Sequence, residues 1–168
     1  ALDAVLGYRD GDFAEDWDLW LRLVAAGWSL GKVEGLVLRW RHRPGRATFA
    51  DPRYTPERHR ALRALHLAPL LRTERERGRR LAVWGAGPTG RRLARALEPH
   101  GIHAERFVDI DPKKIGRVAR SAPIIAADAL EAHDFVVVAV GSATARELVR
   151  ADLVRRGRVE LVDFICAA

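Results

Sequence analysis

The sequence predicts an α/β protein: helices and short strands over the first seventy or so residues, then a small doubly wound parallel sheet. Three observations support this. After residue 80, apolar strand-like runs alternate with helical segments, the grammar of a parallel sheet. The strands are continuously apolar, most of all Phe135-Val136-Val137-Val138-Ala139-Val140, as burial on both faces requires. A glycine motif, Gly85-Ala86-Gly87-Pro88-Thr89-Gly90, stands directly between a strand and a helix.

The first helix is announced by Glu15-Asp16-Trp17-Asp18-Leu19-Trp20-Leu21-Arg22. Trp17, Trp20, Leu21 and Val24 recur at i, i+3, i+4 and i+7, and Gly27 supplies a stop. Trp17 and Trp20 are expected as core anchors. The pair Glu15 and Asp16 then sits at a helix N-terminus, where the dipole favours an ionised carboxylate. A fixed, ionised carboxylate can act as a general base. It can equally serve only as a helix cap. Ser29 to Val33 and Leu36 to Arg41 read as short strands separated by Glu34-Gly35, and Arg43-Pro44-Gly45 breaks the second. Residues 47–55 read as loop. Thr55 is a candidate N-cap with Pro56 at the first helical position, opening a helix to about Leu71 that Pro69 kinks or ends. Residues 72–80 lack apolar side chains and form the expected boundary, either as a helix extension or as a charged linker.

Beyond the boundary, Leu81-Ala82-Val83-Trp84 is a buried strand, and the glycine motif leads into a helix to about Glu98. Phe107 to Asp111 is the second strand and Pro123-Ile124-Ile125 the third. A short helix follows at 128–132. The run 135–140 is the fourth strand, ended by Gly141-Ser142. A helix from about Ala143 to Arg156 stops at Gly157, and Glu160 to Ile165 closes the sheet. Gly85 allows a tight turn, Gly87 lets a phosphate approach the backbone, and Gly90 lets helix and strand pack closely. Asp109 and Asp111 lie about 20 residues beyond the motif, where an acid contacts a ribose hydroxyl. Gly141 and Ser142 lie at the carboxyl end of a strand, beside the expected crevice. Nucleotide binding therefore implicates Gly85, Gly87, Gly90, Asp109, Asp111, Gly141 and Ser142. The competing reading is that the glycines only shape a turn.

Several motifs of the first segment resemble family 2 glycosyltransferases, inverting enzymes of the A-type fold. They are Gly7-Tyr8-Arg9-Asp10, Phe13 to Leu23, Ala26-Gly27-Trp28, Val37 to Arg46 and Asp51-Pro52-Arg53-Tyr54. The resemblance covers roughly residues 1–70. It implies that Asp16 is the catalytic base and that Glu15 orients it or the acceptor. It makes Trp40, Arg41 and His42 candidate contacts for acceptor or diphosphate, although Trp40 also suits a core and His42 a solvated pairing role. It further implies a nucleotide-sugar donor, a glycan or lipid-linked acceptor, and a divalent metal, Mg or Mn, held mostly outside this chain. The expected Asp-x-Asp donor half has no match before Ala1, and the 168 residues contain no methionine. The chain is thus expected to be a fragment, inactive alone. Asp109-Ile110-Asp111 shares the spelling but belongs to the second unit.

The second half, through Trp84-Gly85-Ala86-Gly87, Val108 to Gly116, Val140-Gly141-Ser142 and Ala145-Arg146-Glu147, resembles the small Rossmann-like domains fused behind some family 2 enzymes. It is also similar to the N-terminal domain of nucleotide-sugar acyltransferases. NAD(P) is a further cofactor candidate, which leaves an oxidoreductase or a non-catalytic docking module as alternatives. No Tyr-x-x-x-Lys pair follows the motif.

Composition bounds the remainder. The net charge of +7 comes almost wholly from arginine, and those arginines are scattered and interleaved with glutamate. No aromatic-plus-basic stripe suits base stacking, so no nucleic-acid partner is expected. Arginine-rich codon usage explains the charge, and peripheral contact with an anionic membrane remains compatible with it. No apolar run approaches the ~18 residues of a membrane span. The lone Cys166 excludes an internal disulfide, and a cytoplasmic location is the default expectation.

Overall fold

The computed structural model describes residues 1–31, 33–39 and 45–167, which divide into two compact units, Ala1–Leu62 and Arg63–Ala168. The first unit contains helix α1 (Glu15–Ala25), the single turn α2 (Ala47–Ala50) and the opening turns of α3 (Pro56–Glu76). Helix α1 begins at the acid pair and ends before Gly27, whose φ of +85° suits a residue without a Cβ.

The inner face of α1 is not the tryptophan stripe. Ala14, Asp18, Leu19 and Leu23 are buried, whereas Trp17, Trp20 and Val24 are 44%, 57% and 53% exposed. The reason is ionic. Asp18 is fully buried and accepts from Arg9 Nε at 3.1 Å and Arg22 Nε at 2.7 Å. Arg22 also donates to the Gly7 carbonyl at 2.6 Å and to the Val5 carbonyl. A buried aspartate must face its guanidinium partners, so the stripe containing Asp18 turns inward. The tryptophan stripe, rotated by one residue, turns out.

The expected strands at 29–33 and 36–41 do not form among the described residues, where Leu30, Val33, Leu36, Val37 and Leu38 are exposed. Two short strands without a third neighbour are marginal in water. Trp40, Arg41 and His42 lie outside the described residues.

Helix α3 starts as expected: Pro56 is its first residue and the Thr55 hydroxyl accepts from the Arg58 N–H at 3.3 Å. It then passes through Pro69 and continues to Glu76. A mid-helix proline removes one hydrogen bond. Buried Ala64, Ala68 and Leu71 pack the helix on the sheet and offset that loss. Residues 72–76 are therefore helical. Glu74 is buried and binds Arg77 at 2.7 Å and Arg79 at 3.0 Å, so the charged run is partly an ion-pair network.

The second unit is α/β. Strands β1 (Arg80–Trp84), β2 (Arg106–Val108), β3 (Val118–Ala119), β4 (Ala122–Ile125), β5 (Asp134–Val138) and β6 (Phe164–Cys166) form one sheet in the order β3-β4-β2-β1-β5-β6. Helix α4 (Pro88–Leu97) links β1 to β2, and α5 (Ala143–Arg155) links β5 to β6. Every pairing is parallel except β3 with β4. The sheet is thus mixed, which corrects the all-parallel expectation. The cause is a two-residue hairpin at Arg120 (φ +46°) and Ser121 (φ +65°), where positive φ at both positions suits the twist of paired strands.

Leu81, Val83, Phe107, Phe135 and Val137 pack with α3 and α4 on one face of the sheet. Ala82, Trp84, Val108, Val136, Val138 and Phe164 pack with Val149 and Leu153 of α5 on the other. Three boundaries shift from expectation. The second strand ends at Val108, so Asp109 and Asp111 lie beyond the sheet. The segment 128–132 is only a 3-10 turn at Ala127–Ala129. The last strand shortens because Leu161 takes φ +69° within a turn. Among the described residues no helix is long and apolar enough to cross a membrane.

An ion cluster closes the amino ends of the strands. Asp134 is fully buried and accepts from Arg80 Nε at 3.1 Å, Arg106 Nη1 at 3.4 Å and the Glu131 N–H at 2.7 Å. Asp134→Ala removes the carboxylate and leaves those donors short of a partner. We expect a loss of about 2–4 kcal/mol, read as a lower midpoint in urea unfolding with unchanged slope.

Candidate functional site

The glycine motif forms the turn from β1 into α4, and Gly141-Ser142 forms the turn from β5 into α5. β1 and β5 are neighbours, and the chain leaves them in opposite directions, toward β2 and toward β6. Both turns therefore meet at the point where the strand order reverses, the place where open α/β sheets hold ligands.

The four glycines do different jobs. Gly85 has φ +118°, and a Cβ there would lie 2.6 Å from the Ala139 carbonyl oxygen. A Cβ at Gly90 would lie 1.9 Å from the Gly85 carbonyl oxygen, and one at Gly141 would lie 2.9 Å from Thr89 Oγ1. Gly85 and Gly90 meet backbone atoms and are required by packing whether or not anything binds, whereas Gly141 meets only a side-chain hydroxyl that can rotate away. Gly87 is different: nothing lies within 4 Å of its would-be Cβ. It is the N-cap of α4, and among the described residues no hydrogen bond reaches the N–H groups of Gly87, Thr89 or Gly90. Open space over unsatisfied N–H donors suits a phosphate. Pro88, the first helical residue, offers no N–H.

Asp109 is buried and tied inward. Its Oδ2 accepts from the Ala86 N–H at 3.0 Å and from Lys114 Nζ at 3.0 Å, while Oδ1 accepts from the Asp111 N–H at 3.0 Å. This carboxylate, the one expected at a ribose, straps the glycine loop to the end of β2. Burial pushes its pKa up, but the Asp111 N–H, the Lys114 ammonium and the Ala86 N–H together hold it below the ordinary carboxylate value. Asp111 is more exposed; its Oδ1 accepts from the Lys113 N–H at 2.9 Å. Ser142 caps α5 through the Ala145 N–H at 3.4 Å.

In the first unit the two acids have separate fates. Glu15 is engaged: its Oε1 accepts from the Tyr54 hydroxyl at 3.0 Å, and its Oε2 lies 3.6 Å from Arg53 Nη1. Arg53 is in turn held by Asp51, with Nε at 2.9 Å and Nη2 at 2.6 Å from Oδ2. Asp16 is exposed, accepts the Trp17 N–H at 2.8 Å, and carries no ion pair among the described residues. The Asp16 carboxylate thus faces solvent, and the expected tryptophan wall behind it is itself exposed.

Sequence reasoning missed Tyr54, Arg53 and His59 as neighbours of the acids. The His59 ring lies 5.3 Å from that of Trp17 and 6.2 Å from that of Tyr54, both edge-on. The Asp51-Pro52 turn hinted at a fixed loop, but contact with a residue 39 positions away leaves no local trace. Among the described residues no group of three His, Cys, Asp or Glu side chains is placed to hold a metal, so the residues present do not fit one.

A cavity of about 380 Å³ lies elsewhere, lined by Ala127, Leu130, Ala132, Arg156, Gly157, Arg158 and Asp163. It opens at the amino ends of β5 and β6, opposite the glycine turns. Its charges are spent on the fold: Arg156 binds Asp152 and Asp128, Arg158 binds the Asp134 and Glu131 carbonyls, and Asp163 binds Arg79.

No protein-family model, curated protein or solved structure matches the chain.

Two outcomes follow from the glycine turn. Gly90→Ala forces backbone atoms apart and is expected to cost more than about 4 kcal/mol, an exceptional loss for one methyl, whereas Gly87→Ala leaves the unfolding midpoint nearly unchanged. The lowered pKa of Asp109 stabilises the fold above the unfolded value of about 3.9, and that contribution fades as pH falls through the folded value. The stability gap between the wild type and Asp109→Asn should narrow from pH 7 to pH 3 in urea titrations.

Proposed function

We propose that the chain is the acceptor-side part of an inverting, family 2-like glycosyltransferase, followed by a Rossmann-like domain that binds a nucleotide or nucleotide-sugar. One observation carries the transferase reading. Of two adjacent acids at the start of α1, Glu15 is clamped by Tyr54 and Arg53, while Asp16 is left exposed and pairs with no cation among the described residues. That is the division of labour a base and its orienting neighbour need.

In this reading Asp16, deprotonated, takes the proton of an acceptor hydroxyl. The freed oxygen pair forms a bond to the anomeric carbon, on the face opposite the nucleotide diphosphate. The bond from that carbon to the diphosphate oxygen breaks, and the diphosphate leaves with the electron pair. The anomeric configuration inverts. Asp16 is exposed, so this reading assigns the enclosing wall of the site to the donor-binding half of a longer parent. The exposed apolar side chains Trp20, Val24, Leu30 and Val37 fit such a covering. The 168 residues alone are then inactive.

For the second unit, open space at Gly87 supports a phosphate of a nucleotide. The nicotinamide alternative is weakened by Asp109, whose oxygens are already bonded within the fold. The docking-module alternative draws on Gly85 and Gly90, which packing alone explains.

In the parent protein, Asp16→Asn should lower turnover by about 10²–10⁴-fold with folding intact, the usual contribution of a general base. Turnover near normal rules out the assignment. Titration of the chain with UDP-sugars, NAD(H) and NADP(H), wild type against Gly87→Val, reads the second unit. A UDP-sugar signal lost in the variant supports nucleotide binding. Flat titrations throughout favour the docking module.

A further inference from the structure

Two buried polar atoms in the first unit make no hydrogen bond among the described residues: His59 Nδ1, and Glu15 Oε2, which has only the longer ion pair to Arg53 Nη1 at 3.6 Å. Such an atom costs about 1–3 kcal/mol, and each one in a folded protein calls for an explanation. Both belong to residues that touch Tyr54. Its hydroxyl donates to the other oxygen of Glu15, and its ring meets the His59 ring edge-on. His59 also meets the exposed ring of Trp17, the residue after Asp16. The Asp51–Arg53 pair anchors the turn that carries Tyr54, so the phenol is presented from a fixed loop. An acceptor oxygen, an imidazole nitrogen and an aromatic face are the groups that hold a sugar hydroxyl and its C–H surface.

We propose that Tyr54 is a positioning residue of the acid pair: with Arg53 it fixes Glu15, so that Glu15 Oε2 and His59 Nδ1 together hold a neighbouring hydroxyl of the carbohydrate acceptor while Asp16 takes the proton of the reacting one. This rests on the transferase reading. Tyr54 touches no reacting atom and acts through Glu15. The fixed phenol sets where the second oxygen of Glu15 stands, and that oxygen sets the rotation of the sugar ring. A shift of the ring by about 1 Å costs up to about a hundredfold in rate.

Two arms separate the clamp from the chemistry. The first uses the chain itself, in a Tyr8→Phe background that leaves Tyr54 as the single tyrosine. Burial first, and the Glu15 carboxylate second, hold the Tyr54 hydroxyl above its ordinary value. Absorbance titration should show its midpoint fall in Glu15→Gln, though not fully to the value of free tyrosine. A midpoint that does not move overturns the proposal, whatever the parent enzyme does. The second arm uses the parent. Tyr54→Phe should lower kcat by on the order of tenfold to a hundredfold with the donor KM unchanged, and His59→Phe should raise the acceptor KM. Unchanged kinetics in both variants, with Asp16→Asn inactive, overturn the proposal and leave the transferase standing. An active Asp16→Asn overturns the transferase reading and, with it, the acceptor role given to Glu15 and His59.

Discussion

The second unit depends on one close approach. The carbonyl oxygen of Gly85 occupies the place where a side chain at position 90 would begin. Helix α4 can therefore lie directly against the turn that feeds it, and its buried face, Leu93, Ala94 and Leu97, reaches the sheet. The same turn is pressed from the other side by the Ala139 carbonyl. β1 and β5 are thereby locked as neighbours at their carboxyl ends. The strand order, the reversal of direction and the open space over Gly87 are consequences of this packing.

Asp109 completes the arrangement with charge in place of shape. A buried carboxylate needs donors, and it finds two peptide N–H groups and one ammonium within hydrogen-bond distance. In satisfying them it ties the glycine loop to the end of β2. The residue type expected for ligand recognition here serves the scaffold. The glycine turn is left with backbone N–H donors and little uncommitted side-chain chemistry.

The first unit is organised by ion pairs more than by oil. Asp18 gathers Arg9 and Arg22, and Arg22 in turn holds the carbonyls of the preceding loop. Glu15 gathers Tyr54 and Arg53. The apolar surface left outside, from Trp17 and Trp20 to Leu38, is what a further protein surface would cover. Asp16, next to Glu15, is exposed and carries no ion pair among the described residues.

Much was legible from local pattern. The start of α1 at the acid pair, the Thr55-Pro56 opening of α3, the strands around Val83 and Val137, and the glycine turn all follow from propensity, capping and apolar runs, which act over a few residues. The tight turn at Gly85 and the close packing at Gly90 were legible in outline for the same reason. What the sequence left open required partners distant in the chain. Two helical stripes on α1 compete, and the ion pairs of Asp18 with Arg9 and Arg22 hold Asp18 inward. Residues 29–39 carry strand-forming side chains, but a strand exists only where another pairs with it. That Asp109 straps the glycine loop depends on the approach of the Ala86 N–H, 23 residues earlier in the chain. Sequence determines which segments can form and where they must turn, because those forces are local. Tertiary structure decides which face is buried and which acid is left exposed, because burial and ion pairing depend on what arrives from elsewhere in the chain.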